Sequence, residues 1–140
     1  MTPYKDEIST EREANLRKLA AKLLAVSESE FDMAFFSDND EPCDPVRCGT
    51  VGCAVGWGPA AGIEASVNDD NWWNYSYRVF VPSDDVEAWD WCFDADWASV
   101  DNTPSGAALR ILYLLDKGLP EDSYEQMYGS EPLCYREVAE

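Results

Sequence analysis

DNTPSGAALRILYLLDKGLP, residues 101–120, carries a helix start and a helix stop in one stretch. Thr103 offers an N-cap oxygen, and Pro104 follows at the first helical position, where a missing N–H removes no intrahelical bond. Ala107, Ala108, Ile111, Leu112, Leu114 and Leu115 recur at helical spacing, and Gly118 supplies the residue that leaves a helix with least strain. The spacing predicts a core helix over 103–118.

Working outward, Thr10 and Glu13 form a capping-box pair. Leu16, Leu19, Ala20, Leu23 and Leu24 follow with a helical period, and Arg12, Arg17, Lys18 and Lys22 fill the other positions. An amphipathic helix with one buried face is predicted over 10–27. Residues 31–36 form an apolar anchor, and 37–45 read as an exposed acidic loop. CGTVGCAVGWGPAAGI (48–63) is almost uncharged. Thr50 caps a short helix there through Cys53, Ala54 and Trp57, which Gly58-Pro59 stops. Its small side chains permit close approach, so a buried segment is expected over 48–63.

WWNYSYRVFV (72–81) is aromatic and β-branched, with alternation at Tyr75, Tyr77, Val79 and Val81, which predicts short strands. Ser83 with Asp84, Asp85 and Glu87 starts a further helix with Trp89, Cys92 and Phe93 on its apolar face. Residues 124–128 form a last helical turn. The sum is an α+β protein: a mostly helical single domain over 1–140 with a small two- or three-stranded β element.

The 140 residues carry 28 acids against 10 bases, a net charge of −18. Residues 1–30 hold six acids and five bases, so the acidity belongs to the remainder. Such a charge disfavours bare nucleic acid and anionic membranes and favours a cationic partner. No run of 18 apolar residues suggests a membrane span, and the polar start lacks the apolar segment of a signal peptide. The five cysteines, Cys43, Cys48, Cys53, Cys92 and Cys134, fit buried free thiols in a cytosolic protein.

Histidine is absent, which removes the Ser-His and Cys-His nucleophilic pairs and the commonest general base. Cys43, Cys48 and Cys53 lack the short-spaced pairs of a zinc site. Asp38, Asp40 and Asp44, or Asp94, Asp96 and Asp101, miss the glycine and terminal glutamate of a calcium loop. Gly49, Gly52, Gly56 and Gly58 match neither phosphate-binding glycine pattern. The six tryptophans read as core residues, as a sugar-binding face or as platforms for a partner's cations. The expectation is a protein with no catalytic residues, no metal and no cofactor.

Self-repulsion of this size destabilises a compact state, so solubility alone is a poor reason for it. The candidate partner-binding acids are Asp38, Asp40, Glu41, Asp44, Asp69, Asp70, Asp84, Asp85, Glu87, Asp94 and Asp96. Carboxylates at phosphate-like spacing suit a nucleic-acid-binding groove, which predicts an acidic inhibitor or decoy of a nucleic-acid-binding protein.

Segments 31–33 and 48–63, with WDWCF (89–93) and residues 101–120, resemble small proteins encoded by bacteriophages and bacteria. The shared patterns are CGTxGCAxGxGPAAG and DNTPxGAAxRIxYLLDxGxP. The resemblance implies no activity, cofactor or catalytic residue. It implies a phage or mobile-element setting in a bacterial cytoplasm, and hence a counter-defence role against a CRISPR or restriction complex by analogy of class. Competing expectations are a phage structural or accessory protein, and a carboxylate- or thiol-dependent hydrolase using Cys53 or Cys92.

Overall fold

The computed structural model describes Tyr4 and residues 8–31, 54–64, 66, 68, 69, 72–129 and 132–137. Its α-helices are α1 (Thr10–Leu23), α2 (Trp72–Val79), α3 (Val86–Phe93), α4 (Pro104–Lys117), α5 (Ser123–Met127) and α6 (Cys134–Glu137), with short 3₁₀ turns between them.

The α4 helix begins and ends where its punctuation places it. Thr103 Oγ1 accepts the Gly106 N–H at 3.0 Å, and Pro104 occupies the first turn. Gly118 then leaves the helix at φ 87°, a backbone region that glycine adopts without strain. Ala107, Ala108, Ile111, Leu114 and Leu115 are buried, and α1 lays Leu16, Leu19, Ala20 and Leu23 against this helix. Each buried leucine contributes on the order of 2 kcal/mol of apolar burial.

The start of α1 lies one residue from the expected cap: Ser9, not Thr10, accepts from the Arg12 N–H. The helix stops at Leu23, short of the expected end at residue 27, and Ser27 caps a separate 3₁₀ turn over Glu28–Glu30. From its flank, α1 fastens the end of α2. Arg12 Nη2 donates to the Tyr77 carbonyl at 2.8 Å and Asn15 Nδ2 to the Val79 carbonyl at 3.0 Å. These are carbonyls that a helix C-terminus leaves without an internal partner.

The expected β element is not found: no strand occurs among the described residues, and the structure is mostly helical. Residues 72–79, expected as strand, form α2. The buried positions decide this, because Trp72, Tyr75, Ser76 and Val79 follow the i, i+3, i+4, i+7 rhythm of one helix face. A strand would have faced Tyr75, Tyr77 and Val79 the same way. Aromatic and β-branched content is a weak preference that packing overrides.

Of the uncharged segment, residues 54–59 are buried and turn through two 3₁₀ elements, Val55–Trp57 and Pro59–Ala61. Thr50 and Cys53 lie outside the described residues. At Gly58 a Cβ would meet Tyr75 Cε2 at 2.9 Å, so the Tyr75 ring occupies the space a side chain would need. Tyr75 donates its hydroxyl to the Ile63 carbonyl across the same contact.

Around Asp101 a buried polar cluster ties α4 to α6. Arg136 Nε donates to Asp101 Oδ2 and Nη2 to Oδ1, each at 2.8 Å. Thr103 and Tyr135 donate hydroxyls to the same carboxylate at 2.7 and 3.0 Å. Arg110, fully buried, lies with Nη1 3.8 Å from Asp101 Oδ2 and 3.1 Å from the Tyr135 hydroxyl. Its guanidinium covers the Trp97 ring at 4.3 Å. Trp91, Trp97 and Tyr135 meet edge to face at 5.4–5.6 Å, the arrangement that aromatic quadrupoles favour.

Burial pushes the Asp101 carboxyl up, but Arg136, Thr103, Arg110 and Tyr135 together outweigh it and hold its pKa below the ordinary carboxylate value. Burial also lowers the pKa of Arg110. An arginine starts so far above neutrality that it stays charged.

Gly106→Ala is expected to destabilise the protein by about 1–3 kcal/mol. The added Cβ would sit 2.6 Å from Asp101 Cγ, a clash that outweighs the ~1 kcal/mol by which alanine is the better helix former. Urea denaturation checks this, and a variant more stable than the parent refutes the close approach. Asp101→Asn is expected to cost about 3–5 kcal/mol at neutral pH, because Arg110 keeps its charge with no counter-charge. A depressed folded pKa gives stability that is present above the unfolded value and lost as pH falls through the folded one. The difference between parent and variant should therefore shrink below about pH 4, read from denaturation midpoints at pH 7 and pH 3.

Candidate functional site

Most arginines of the described chain point inward or along it. Arg78 clasps Asp69 at 2.6 Å, Arg110 and Arg136 converge on Asp101, and Arg17 bridges Glu13 and Asp116 at 3.0 and 3.2 Å. The internal ion pairs thus neutralise few acids.

The candidate acids fall into distinct environments. Asp38, Asp40, Glu41, Asp44 and Asp70 lie outside the described residues. Asp69 is buried, accepts from the Ser66 N–H at 2.8 Å and is gripped by Arg78, so its carboxylate serves the fold. The hydrogen bond and charge of Arg78 hold its pKa below the ordinary value against the opposing effect of burial. Asp85 accepts the Tyr4 hydroxyl at 2.6 Å, and Glu87 accepts from Ser123 Oγ at 2.7 Å. Asp94 accepts from the Asp96 N–H at 2.8 Å and caps a 3₁₀ turn over Ala95–Ser99. Asp84 and Asp96 are exposed. Asp101, read in the sequence as part of a possible calcium loop, is committed to arginines instead.

Between α2 and α3 lies a cleft of about 240 Å³, lined by Trp73, Tyr77, Ser83, Val86, Trp89 and Asp90. Trp73 and Tyr77 sit one helical turn apart on the face of α2 opposite its buried residues. Val86, Trp89 and Asp90 share a face of α3 by the same rule. Trp73 is 50% exposed and Val86 59%. The Trp89 indole is held in place, donating to Ser76 Oγ at 2.8 Å and tilting against Tyr77 with centroids 6.1 Å apart.

Asp90 accepts the Tyr124 hydroxyl at 3.0 Å. Tyr124 stacks on Tyr128, which is exposed and lines a second, more open cleft of about 500 Å³ with Asp96 and Met127. Asp90 and Tyr124 thereby join the aromatic cleft to the exposed acid at residue 96. Asp90 is not among the candidate docking acids of the sequence. Reading residues 72–81 as strand hid the pairing of Trp73 with Tyr77.

Burial raises the Asp90 carboxyl above the ordinary value, Asp94 and Asp96 push the same way, and the Tyr124 hydrogen bond pulls it down. In return, burial and the Asp90 carboxylate push the Tyr124 phenol up to about 12. Cys92 is fully buried, and desolvation raises its thiol pKa, the opposite of what a nucleophile needs. Cys134 is a free, partly buried thiol, whereas Cys43, Cys48 and Cys53 lie outside the described residues. No set of three or more Cys, Asp or Glu side chains is arranged to hold a metal among the described residues. None of the described helices is long and apolar enough to cross a membrane. No protein-family model matches the chain, and no curated protein or solved structure does either.

A raised folded pKa at Asp90 means that the folded state holds this proton more tightly than the unfolded chain. The Asp90 contribution to stability therefore falls as pH rises from the ordinary aspartate value through the raised one. A carboxyl NMR titration should place Asp90 above the ordinary aspartate value. Tyr124→Phe should move it further up, and joint Asp94→Asn and Asp96→Asn should move it down. An Asp90 midpoint at or below the ordinary aspartate value contradicts the geometry.

Proposed function

We propose that this chain is a non-catalytic acidic binding protein that docks on the basic surface of a nucleic-acid-binding protein and occupies it in place of nucleic acid. The setting proposed is a bacterial cytoplasm, with a phage-type protein acting against a host defence complex of the CRISPR or restriction kind. The observation that carries the reading is the division of charge. Arg78, Arg110 and Arg136 are drawn onto Asp69 and Asp101, whereas Asp84 and Asp96 stand exposed near opposite ends of α3. The field that remains outside is strongly negative, and such a field speeds encounter with a basic groove and sets orientation. The buried, proton-retaining Cys92 supports the non-catalytic half of the reading.

The test is competition with duplex DNA for basic nucleic-acid-handling proteins captured from a bacterial cytosol, repeated as salt is raised. Binding should weaken by about an order of magnitude or more between low and physiological salt. The triple variant Asp84→Asn, Asp94→Asn, Asp96→Asn should weaken it at low salt. An affinity that ignores salt, or binding that leaves the DNA in place, overturns the proposal.

A further inference from the structure

We infer that the cleft between α2 and α3 is a seat for one arginine side chain projecting from the partner's basic surface. The guanidinium would lie at Asp90, and the methylene stem along Val86 and the aromatic walls. The inference rests on the reading of this chain as a ligand for a basic surface and names what that surface must present.

The first support is the lining itself. Trp73, Tyr77, Trp89 and Asp90 bring aromatic faces and a carboxylate to one recess of about 240 Å³, and none of its lining residues is basic. Exposed apolar surface at Trp73 and Val86 gives an alkyl stem something to cover. Asp94 and Asp96 press on Asp90 electrostatically, so an incoming cation relieves repulsion at that point as well as pairing with the carboxylate.

The second support is how the same chain holds its own buried arginine. Arg110 lies over Trp97 at 4.3 Å and Tyr135 at 5.3 Å with the Asp101 carboxylate 3.8 Å away. The cleft repeats that chemistry, indole, phenol and aspartate, at the surface and without a cation among its lining residues. Arginine suits it better than lysine. A planar, weakly hydrated guanidinium stacks on aromatic rings and gives up water readily, whereas an ammonium holds its hydration shell. The clamp on Trp89 from Ser76 fixes one wall beforehand, which lowers the ordering cost of binding.

The experiment uses the full chain with ¹⁵N-labelled indoles and two peptides of equal charge, tetra-arginine and tetra-lysine, at low salt. The arginine peptide should shift the Trp73 and Trp89 indole N–H signals and bind about fivefold tighter than the lysine peptide. Trp73→Ala, at a half-exposed site, should remove that preference and leave lysine-peptide binding within about twofold. Val86→Lys, at an exposed site, should remove it by placing the chain's own ammonium in the cleft. Equal affinity for the two peptides, or binding that leaves the Trp73 and Trp89 signals unmoved, overturns the arginine seat and leaves charge-driven docking standing. Failure of both peptides to bind at low salt overturns both.

Discussion

The carboxylate of Asp101 is the point on which the C-terminal half of the structure converges. It receives Arg136 through two hydrogen bonds and the hydroxyls of Thr103 and Tyr135, and it faces the buried Arg110. Each partner is there because a buried charge must be answered. Arg110 is unexposed, and its Nε and Nη2 find no hydrogen-bond acceptor among the described residues. The Trp97 and Tyr135 faces and the Asp101 charge are what make that burial tolerable. Trp91 completes the arrangement by donating its indole N–H to the Arg110 carbonyl at 2.9 Å, which ties α3 to the same turn of α4. α6 is only a few residues long and would not hold as an isolated helix. Tyr135 and Arg136 anchor it.

The inward pull on the arginines shapes the outside of the molecule as much as the inside. A protein with few bases and many acids has two ways to use its arginines: to dilute the surface charge or to satisfy buried carboxylates. At Asp69 and Asp101 this chain takes the second course. The acids that remain are then local in their duties. Asp94 caps, Asp85 and Glu87 accept single hydroxyls, and Asp84 and Asp96 face solvent. The aromatic cleft arises because α2 turns Trp73 and Tyr77 away from the core while burying Trp72, Tyr75 and Val79.

What could be read from the sequence was whatever is encoded within a few residues. The Thr-Pro start and Gly stop of α4 and the leucine period of α1 are of that kind. Ser9 and Thr10 are both competent caps, and adjacency alone does not choose between them. The α2 segment was misread because its composition favours strand while its buried positions follow a helical period; with only eight residues the period is short. The Asp101 cluster was illegible because its members are far apart: 35 residues separate Asp101 from Arg136. The same holds for the acids. Tyr4 meets Asp85 across 81 residues and Ser123 meets Glu87 across 36, so a patch read along the chain does not show which carboxylates are already engaged.

Gly106 leaves no room between the first turn of α4 and Asp101. The residues at 101, 103, 106, 110, 135 and 136 are therefore not independent choices. A larger residue at 106 would displace the carboxylate, and a displaced carboxylate would leave Arg110 and Arg136 without a purpose. In any lineage that carries this fold the six positions should be kept or lost together. An Asp-x-Thr-x-x-Gly-x-x-x-Arg run with a Tyr-Arg pair downstream is then a compact signature for finding distant cousins after overall likeness has faded.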